Sequence, residues 1–206
     1  MMKKYELTQN SIEIDNRTLY QIRALRDFNY IKKGDLGGYI ESENNLSHDG
    51  NCWVSGNARV YGDAQVYGNA QVYGNAQVSG NARVFNNAWI YDNAHVFGNA
   101  KVSGYVLVSE NASVYGKAEV SGNARVSGNA WVSENARVSG DTHIFENAHV
   151  YGDAHLGNVP VNFNCDFDPY KTLKEILNCP KILPVLSGLN KNLDKLISTI
   201  LTKTDT

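Results

Sequence analysis

The chain has 206 residues, enough for one domain with terminal additions, and a net charge of −2. That balance lacks the positive excess of a nucleic-acid binder and the dense negative field of a nucleic-acid mimic. The three cysteines (Cys52, Cys165, Cys179) form no Cys-x-x-Cys pair, which argues against a zinc knuckle or a disulfide framework and for a reduced, cytoplasmic protein.

The start, Met1-Met2-Lys3-Lys4-Tyr5-Glu6, has no apolar run behind its lysines, so no secretory signal is expected, and no stretch of about 18 apolar residues predicts a membrane span. Residues 5–25 read as a β-hairpin: Ile12 and Ile14 alternate with polar residues, Asp15-Asn16 supplies the turn, and Tyr20, Ile22 and Ala24 fall on one face. Residues 1–47 are therefore expected to cap whatever follows. Within them, Gly34 to Gly38 lacks the Gly-Lys-Ser/Thr of a phosphate loop and reads as ordinary turns.

From Val54 a six-residue repeat takes over and runs to His155 without insertion or deletion, giving 17 hexads. Position 1 is Val in 15 of them and Ile at Ile90 and Ile144; position 5 is Ala in 15, with Val106 and Thr142 the exceptions. Position 2 is only Ser, Tyr or Phe, position 3 is Gly in 12, and position 4 is Asn or Asp in 15. One further hexad, His48 to Trp53, fits in front with Cys52 in the alanine slot.

Side chains in a strand alternate faces, so Ala and Val point inward while positions 6 and 2 point outward. Gly and Asn, the residues that most readily adopt positive φ, mark a corner after each short strand. Three hexads then close a triangle, and each strand pairs with the one 18 residues later. The prediction is an all-β parallel solenoid of about six coils over residues 48–156.

Beyond residue 156 the pattern changes. Lys171 to Leu177 fits a short helix, and Leu189, Leu193, Leu196, Ile197, Ile200 and Leu201 form an amphipathic helical stripe. Residues 157–206 are expected to fold back on the last coil or to serve as an oligomerisation or partner helix.

The aliphatic position 1 and small position 5 are similar to the hexapeptide pattern of left-handed parallel β-helix proteins, a superfamily with many trimeric acyltransferases. The segments Arg17 to Phe28, Gly34 to Gly38, Asn45 to His48 and Cys52-Trp53-Val54 resemble the YdcK-like β-solenoid family, common in bacteria and in phage and prophage genomes. The left hand of the helix is implied by this resemblance alone; parallel crossovers are otherwise right-handed.

Repeat and resemblance together point to two functions. The first rests on the repeat itself, whose 17 uninterrupted hexads leave flat faces without a pocket: a non-catalytic scaffold for protein–protein interaction without a cofactor, to which the resemblance adds a phage-encoded factor that binds and inhibits a host defence protein. The second, implied by the resemblance, is a coenzyme A-dependent acyltransferase, for which a histidine would be the general base; His95, mid-solenoid, is the position to test first. Its neighbours 18 residues away are Gln77 and Ser113, so no carboxylate orients it. His143, His149 and His155 look like a metal cluster in the sequence but fall on three different sides, so no metal site is expected.

The outward columns point to a sticky strip on the side carrying Trp53, Tyr73, Trp89, Tyr91 and Leu107, with Tyr105 at the neighbouring corner: this strip is the predicted interaction surface for self-association (a dimer or trimer) or a host protein, the alternative being that rings such as Tyr73 over Tyr91 stack between coils only to stabilise the ladder. Arg83, Lys101 and Arg137 form a thin basic stripe on another side, and Glu119 interrupts it, which argues against a nucleic-acid track.

Overall fold

The computed structural model describes residues 3–158, together with the backbone pairing of residues 160–161 and 166–167. The predicted helix of Leu189, Leu193, Leu196, Ile197 and Ile200 lies outside the described residues. Every hexad contributes a two- or three-residue strand, from Trp53–Val54 to His155–Gly157. These strands form three parallel sheets, in each of which neighbours are 18 residues apart, as in Trp89 with Leu107, His95 with Ser113 and Lys101 with Glu119. We call these sheets sides one, two and three. All position-1 and position-5 residues from Val54 to Leu156 are buried, including the exceptions Val106 and Thr142. The Thr142 hydroxyl donates to the Ser139 carbonyl at 2.6 Å, so its polar atom is satisfied inside.

The corners divide labour in a way that the composition alone does not show. Only position 3 takes a positive φ, whether it is Gly or one of Asn86, Asp92, Glu110, Glu134 and Glu146. Position 4 serves a different purpose. Asn57, Asn75, Asn93, Asn111, Asn129 and Asn147 pass side-chain amide hydrogen bonds from coil to coil at 3.0–3.3 Å, making an unbroken ladder along one edge.

The stack is longer than the hexads. At its start Tyr39–Ile40 pairs in parallel with Arg59–Val60, and Leu46 bridges Val66, at an offset of 20 residues. At its end Pro160–Val161 pairs with His143–Ile144 and Asp166–Phe167 with His149–Val150, at an offset of 17. The solenoid therefore has about seven turns where the hexads predict six. Pro160 takes the first place in its strand, where a missing N–H is tolerated.

The N-terminal residues build onto side two. Strands β1 (Tyr5–Ile14) and β2 (Arg17–Ala24) form the expected hairpin, with Asp15 and Asn16 both at positive φ. Strand β3 (Leu36–Ile40) pairs antiparallel with β2 and parallel with the first hexad strand of side two. A register shift between Gln21 and Arg23 changes which residues point inward: Leu19, Ile22 and Ala24 are buried, whereas Tyr20 is only half-buried. Gly37 and Gly38 are strand residues, not turns. A Cβ on Gly38 would lie 2.6 Å from the Ala58 carbonyl oxygen, so only glycine lets β3 lie this close to the first coil.

Candidate functional site

The outward faces carry the candidate chemistry, and the cap decides which parts of them are accessible. Trp53 is a correction to the sequence reading. It is 1% exposed, because Phe28 meets its ring edge-on at 5.3 Å and Tyr5 at 6.3 Å. Gln71, in the same column, is also buried: it accepts from the Tyr30 hydroxyl at 2.7 Å and donates to the Asn51 carbonyl at 2.8 Å. The segment around Phe28 to Ile31, closed by its own paired bridge, thus covers the first two coils of side one. Nothing in the hexad pattern reveals that a preceding loop will lie there.

The remaining strip residues share one accessible surface. Trp89 is 42% exposed and Tyr105 67% exposed, while Tyr73, Tyr91 and Leu107 are half-buried. Tyr73 and Tyr91 stack at 5.1 Å with their planes 4° apart, and Trp89 meets Tyr73 edge-on at 6.0 Å. Leu107 is Trp89's direct register partner. Around the corner on side three, Tyr67 stacks on Phe85 at 4.9 Å. Burial, and then the neighbouring Tyr91 phenol, push the Tyr73 phenol upward from its ordinary value.

The corner between sides three and one is interrupted at Tyr105. Asn69 donates to Asn87 at 3.1 Å, and Asn123 donates to Asp141 at 2.8 Å, but the place between them is taken by Tyr105. Its backbone keeps the ladder, with N–H donating to the Gly122 carbonyl at 2.7 Å. The substitution therefore gives up side-chain hydrogen bonding and sets a ring in solvent.

A second aromatic series, on side two, joins two columns through one diagonal link. Phe97 stacks on Tyr115 at 4.9 Å, Tyr115 meets Trp131 edge-on at 6.4 Å, and Trp131 stacks on His149 at 4.7 Å. Phe97 and Trp131 are 38% and 45% exposed. The link runs between position 2 of one coil and position 6 of the next, 16 residues on. Stacked rings repeat near the strand spacing of about 4.8 Å, so they cover each other's faces and present edges outward.

The histidines fall as the triangle requires. His143, His149 and His155 lie on sides one, two and three. Among the described residues no three His, Cys, Asp or Glu side chains are grouped to hold a metal. His95 is exposed, with Gln77 and Ser113 as its register partners. On side three Glu119 accepts from Lys101 at 2.9 Å and lies 3.8 Å from Arg137. The Lys101 ammonium holds the Glu119 carboxyl below its usual range. These residues, with Asn99, Lys117 and Asn135, line an open groove of about 330 Å³. Among the described residues no helix is long and apolar enough to cross a membrane.

The cap holds a cluster that the hexads do not anticipate. Lys4 is fully buried, and its Nζ donates to the Cys52 carbonyl at 2.9 Å and lies 3.2 Å from Cys52 Sγ. Tyr5, also fully buried, donates from its hydroxyl to the Leu46 carbonyl at 2.6 Å and stacks on His48 at 4.3 Å. Burial lowers the Lys4 ammonium and raises the Cys52 thiol and the Tyr5 phenol from their ordinary values.

Compared with known proteins, the chain matches the family model described as the YdcK β-solenoid repeat over residues 54–68, 76–92 and 118–134. It is also similar to the Escherichia coli (strain K12) protein named Uncharacterized acetyltransferase YdcK, 39% identical over 61 residues. That match covers 26% of this chain and 19% of the relative, so the chain spans less than a fifth of that protein's length.

Proposed function

We propose that this YdcK-like β-solenoid is a non-catalytic scaffold that holds a protein partner, or a second copy of itself, on the strip formed by Trp89, Tyr105 and Leu107 with Tyr73 and Tyr91. The observation that carries the reading is Tyr105. The fold alone favours asparagine there, since Asn87 and Asn123 stand ready on either side to continue the ladder. A 67% exposed ring in that place costs the corner its hydrogen bonds and contributes nothing to the core. Trp89, Leu107 and the Tyr73–Tyr91 stack extend the same apolar surface over two coils, the clustering of aromatic anchors expected at a binding centre. If the phage association that the resemblance implies applies here, a host protein is the class of partner to seek.

The test uses the consensus residue as its own control. Tyr105→Asn restores the ladder and is expected to keep or raise stability while removing the ring. Combined with Trp89→Ser, it should abolish capture of partners from a host lysate and any self-association seen by size measurement. Undiminished capture and an unchanged oligomeric state in the folded double variant would refute the strip.

A second reading is favoured by the name of the relative, an acetyltransferase. In this reading His95 would act as the general base toward an acyl-coenzyme A, on a side that presents Gln77 and Ser113 beside it. Saturable coenzyme A binding that is lost in His95→Ala would establish this reading over the first.

A further inference from the structure

We propose that Lys4 and Cys52 form an oxidant-triggered covalent latch, a bond between Nζ and Sγ that ties the N-terminal strand to the first coil. The two atoms lie 3.2 Å apart, and both side chains are fully buried. The amine is held in place by the Cys52 carbonyl at 2.9 Å and the Gly50 carbonyl at 3.5 Å, with the Phe28 ring centroid 5.3 Å away. The thiol faces the Ser47 and Asp49 carbonyls at 3.4 and 3.7 Å.

The sulfur is surplus to the fold. Its slot is alanine in 15 of the 17 hexads, and Lys4 would satisfy both carbonyls without it. What the pair adds is chemistry. Burial lowers the ammonium, which makes the free amine more available as a nucleophile and as an acceptor of the thiol proton. The same burial raises the thiol, an effect that Lys4 partly opposes, and it keeps all but small oxidants from the sulfur.

With hydrogen peroxide as oxidant, the Cys52 sulfur attacks one peroxide oxygen and the O–O bond breaks. The sulfur is oxidised to a sulfenic acid, and the other oxygen leaves as water. The Lys4 amine lone pair then attacks the sulfenic sulfur. The S–O bond breaks, the departing hydroxide takes one amine proton, and a sulfenamide S–N bond remains. In sum one thiol, one amine and one peroxide give one sulfenamide and two waters. The buried site favours this condensation, because a bulky external thiol cannot reach the sulfenic acid whereas the amine already touches it.

The 206-residue chain is treated with dilute hydrogen peroxide, digested and analysed by mass spectrometry, and its thermal unfolding is followed in parallel. The expected product joins the peptides containing Lys4 and Cys52, about 2 Da lighter than their sum, and separates on thiol reduction. The oxidised protein should also unfold several degrees higher than the reduced one. Both signals should vanish in Cys52→Ala, which restores the consensus residue, and in Lys4→Arg, which keeps a buried cation but removes the condensing amine. Three results would overturn the latch: Cys52 carrying only added oxygens, oxidation confined to Cys165 and Cys179, or the same unfolding shift in Cys52→Ala.

Discussion

Replacing Trp53 and Trp89 by alanine, one at a time, separates the cap from the surface strip. The two occupy the same column of side one, two coils apart, and differ chiefly in exposure, 1% against 42%. Trp53→Ala removes a ring enclosed by Phe28 and Tyr5 and leaves a cavity, a change that costs about 3–5 kcal/mol. Trp89 has one edge contact, with Tyr73, and keeps much of its surface in water, so its loss costs about 1–1.5 kcal/mol. With a urea slope of about 2 kcal/mol per molar, Trp53→Ala lowers the unfolding midpoint by about 2 M and Trp89→Ala by about 0.5 M. Circular dichroism in the strand band is the readout, because both variants alter tryptophan fluorescence directly. Equal midpoints for the two variants would refute the burial of Trp53 beneath residues 28–31 and return it to the exposed strip.

Three further outcomes follow from the same geometry. Tyr5→Phe leaves the buried Leu46 carbonyl without its donor and costs about 1–3 kcal/mol at neutral pH by chemical denaturation. Because the folded phenol titrates above the unfolded one, wild-type stability falls as pH rises past 10.0, and Tyr5→Phe makes that alkaline decline shallower. Asn111→Ala breaks the ladder bonds from Asn93 at 3.3 Å and to Asn129 at 3.1 Å, lowering stability by about 1 kcal/mol, while Tyr105→Asn raises it by a similar amount. Gly38→Ala sets a Cβ 2.6 Å from the Ala58 carbonyl oxygen and 2.8 Å from Val54 Cγ1, and the overpacking costs about 3 kcal/mol, read as a lowered melting temperature.

The repeat made the solenoid legible because six residues with two inward positions and one corner leave little freedom. Val106 and Thr142 show how far that holds, since both stay inside despite departing from the consensus. The asparagines were only half legible. Composition marks them as corner residues, but their side-chain ladder depends on having the same residue 18 positions away at a fixed height, a contact that belongs to the stack and not to the hexad. Trp53 was misread for a related reason: its outward direction is set by the repeat, while its burial is set by Phe28, which precedes the repeat and has no period. Lys4 gave no signal at all, because a lysine near a chain start is ordinarily solvated, and only the approach of β1 to the first coil encloses it.

The cap's residue choices follow from the direction of the backbone hydrogen bonds. Each strand donates its N–H groups to carbonyls one coil further on, as Trp53 does to Ala70 and Ser55 to Val72. The beginning of the stack therefore presents carbonyls that no earlier coil can reach, and buried carbonyls need donors. The N-terminal segment supplies them in turn: the Tyr39 and Glu41 N–H groups to Ala58 and Val60, the Asn45 amide to Gly62 and Ala64, the Tyr5 hydroxyl to Leu46, and the Lys4 ammonium to Gly50 and Cys52. A cap of acceptors, however apolar its other face, would leave that end unsatisfied. The opposite end has the opposite need, and the Asn158 side-chain oxygen accepting from the Asp141 N–H at 3.0 Å is the beginning of the answer there. Donor-rich residues at the first coil are thus imposed by the polarity of a parallel stack, whatever binds to its sides.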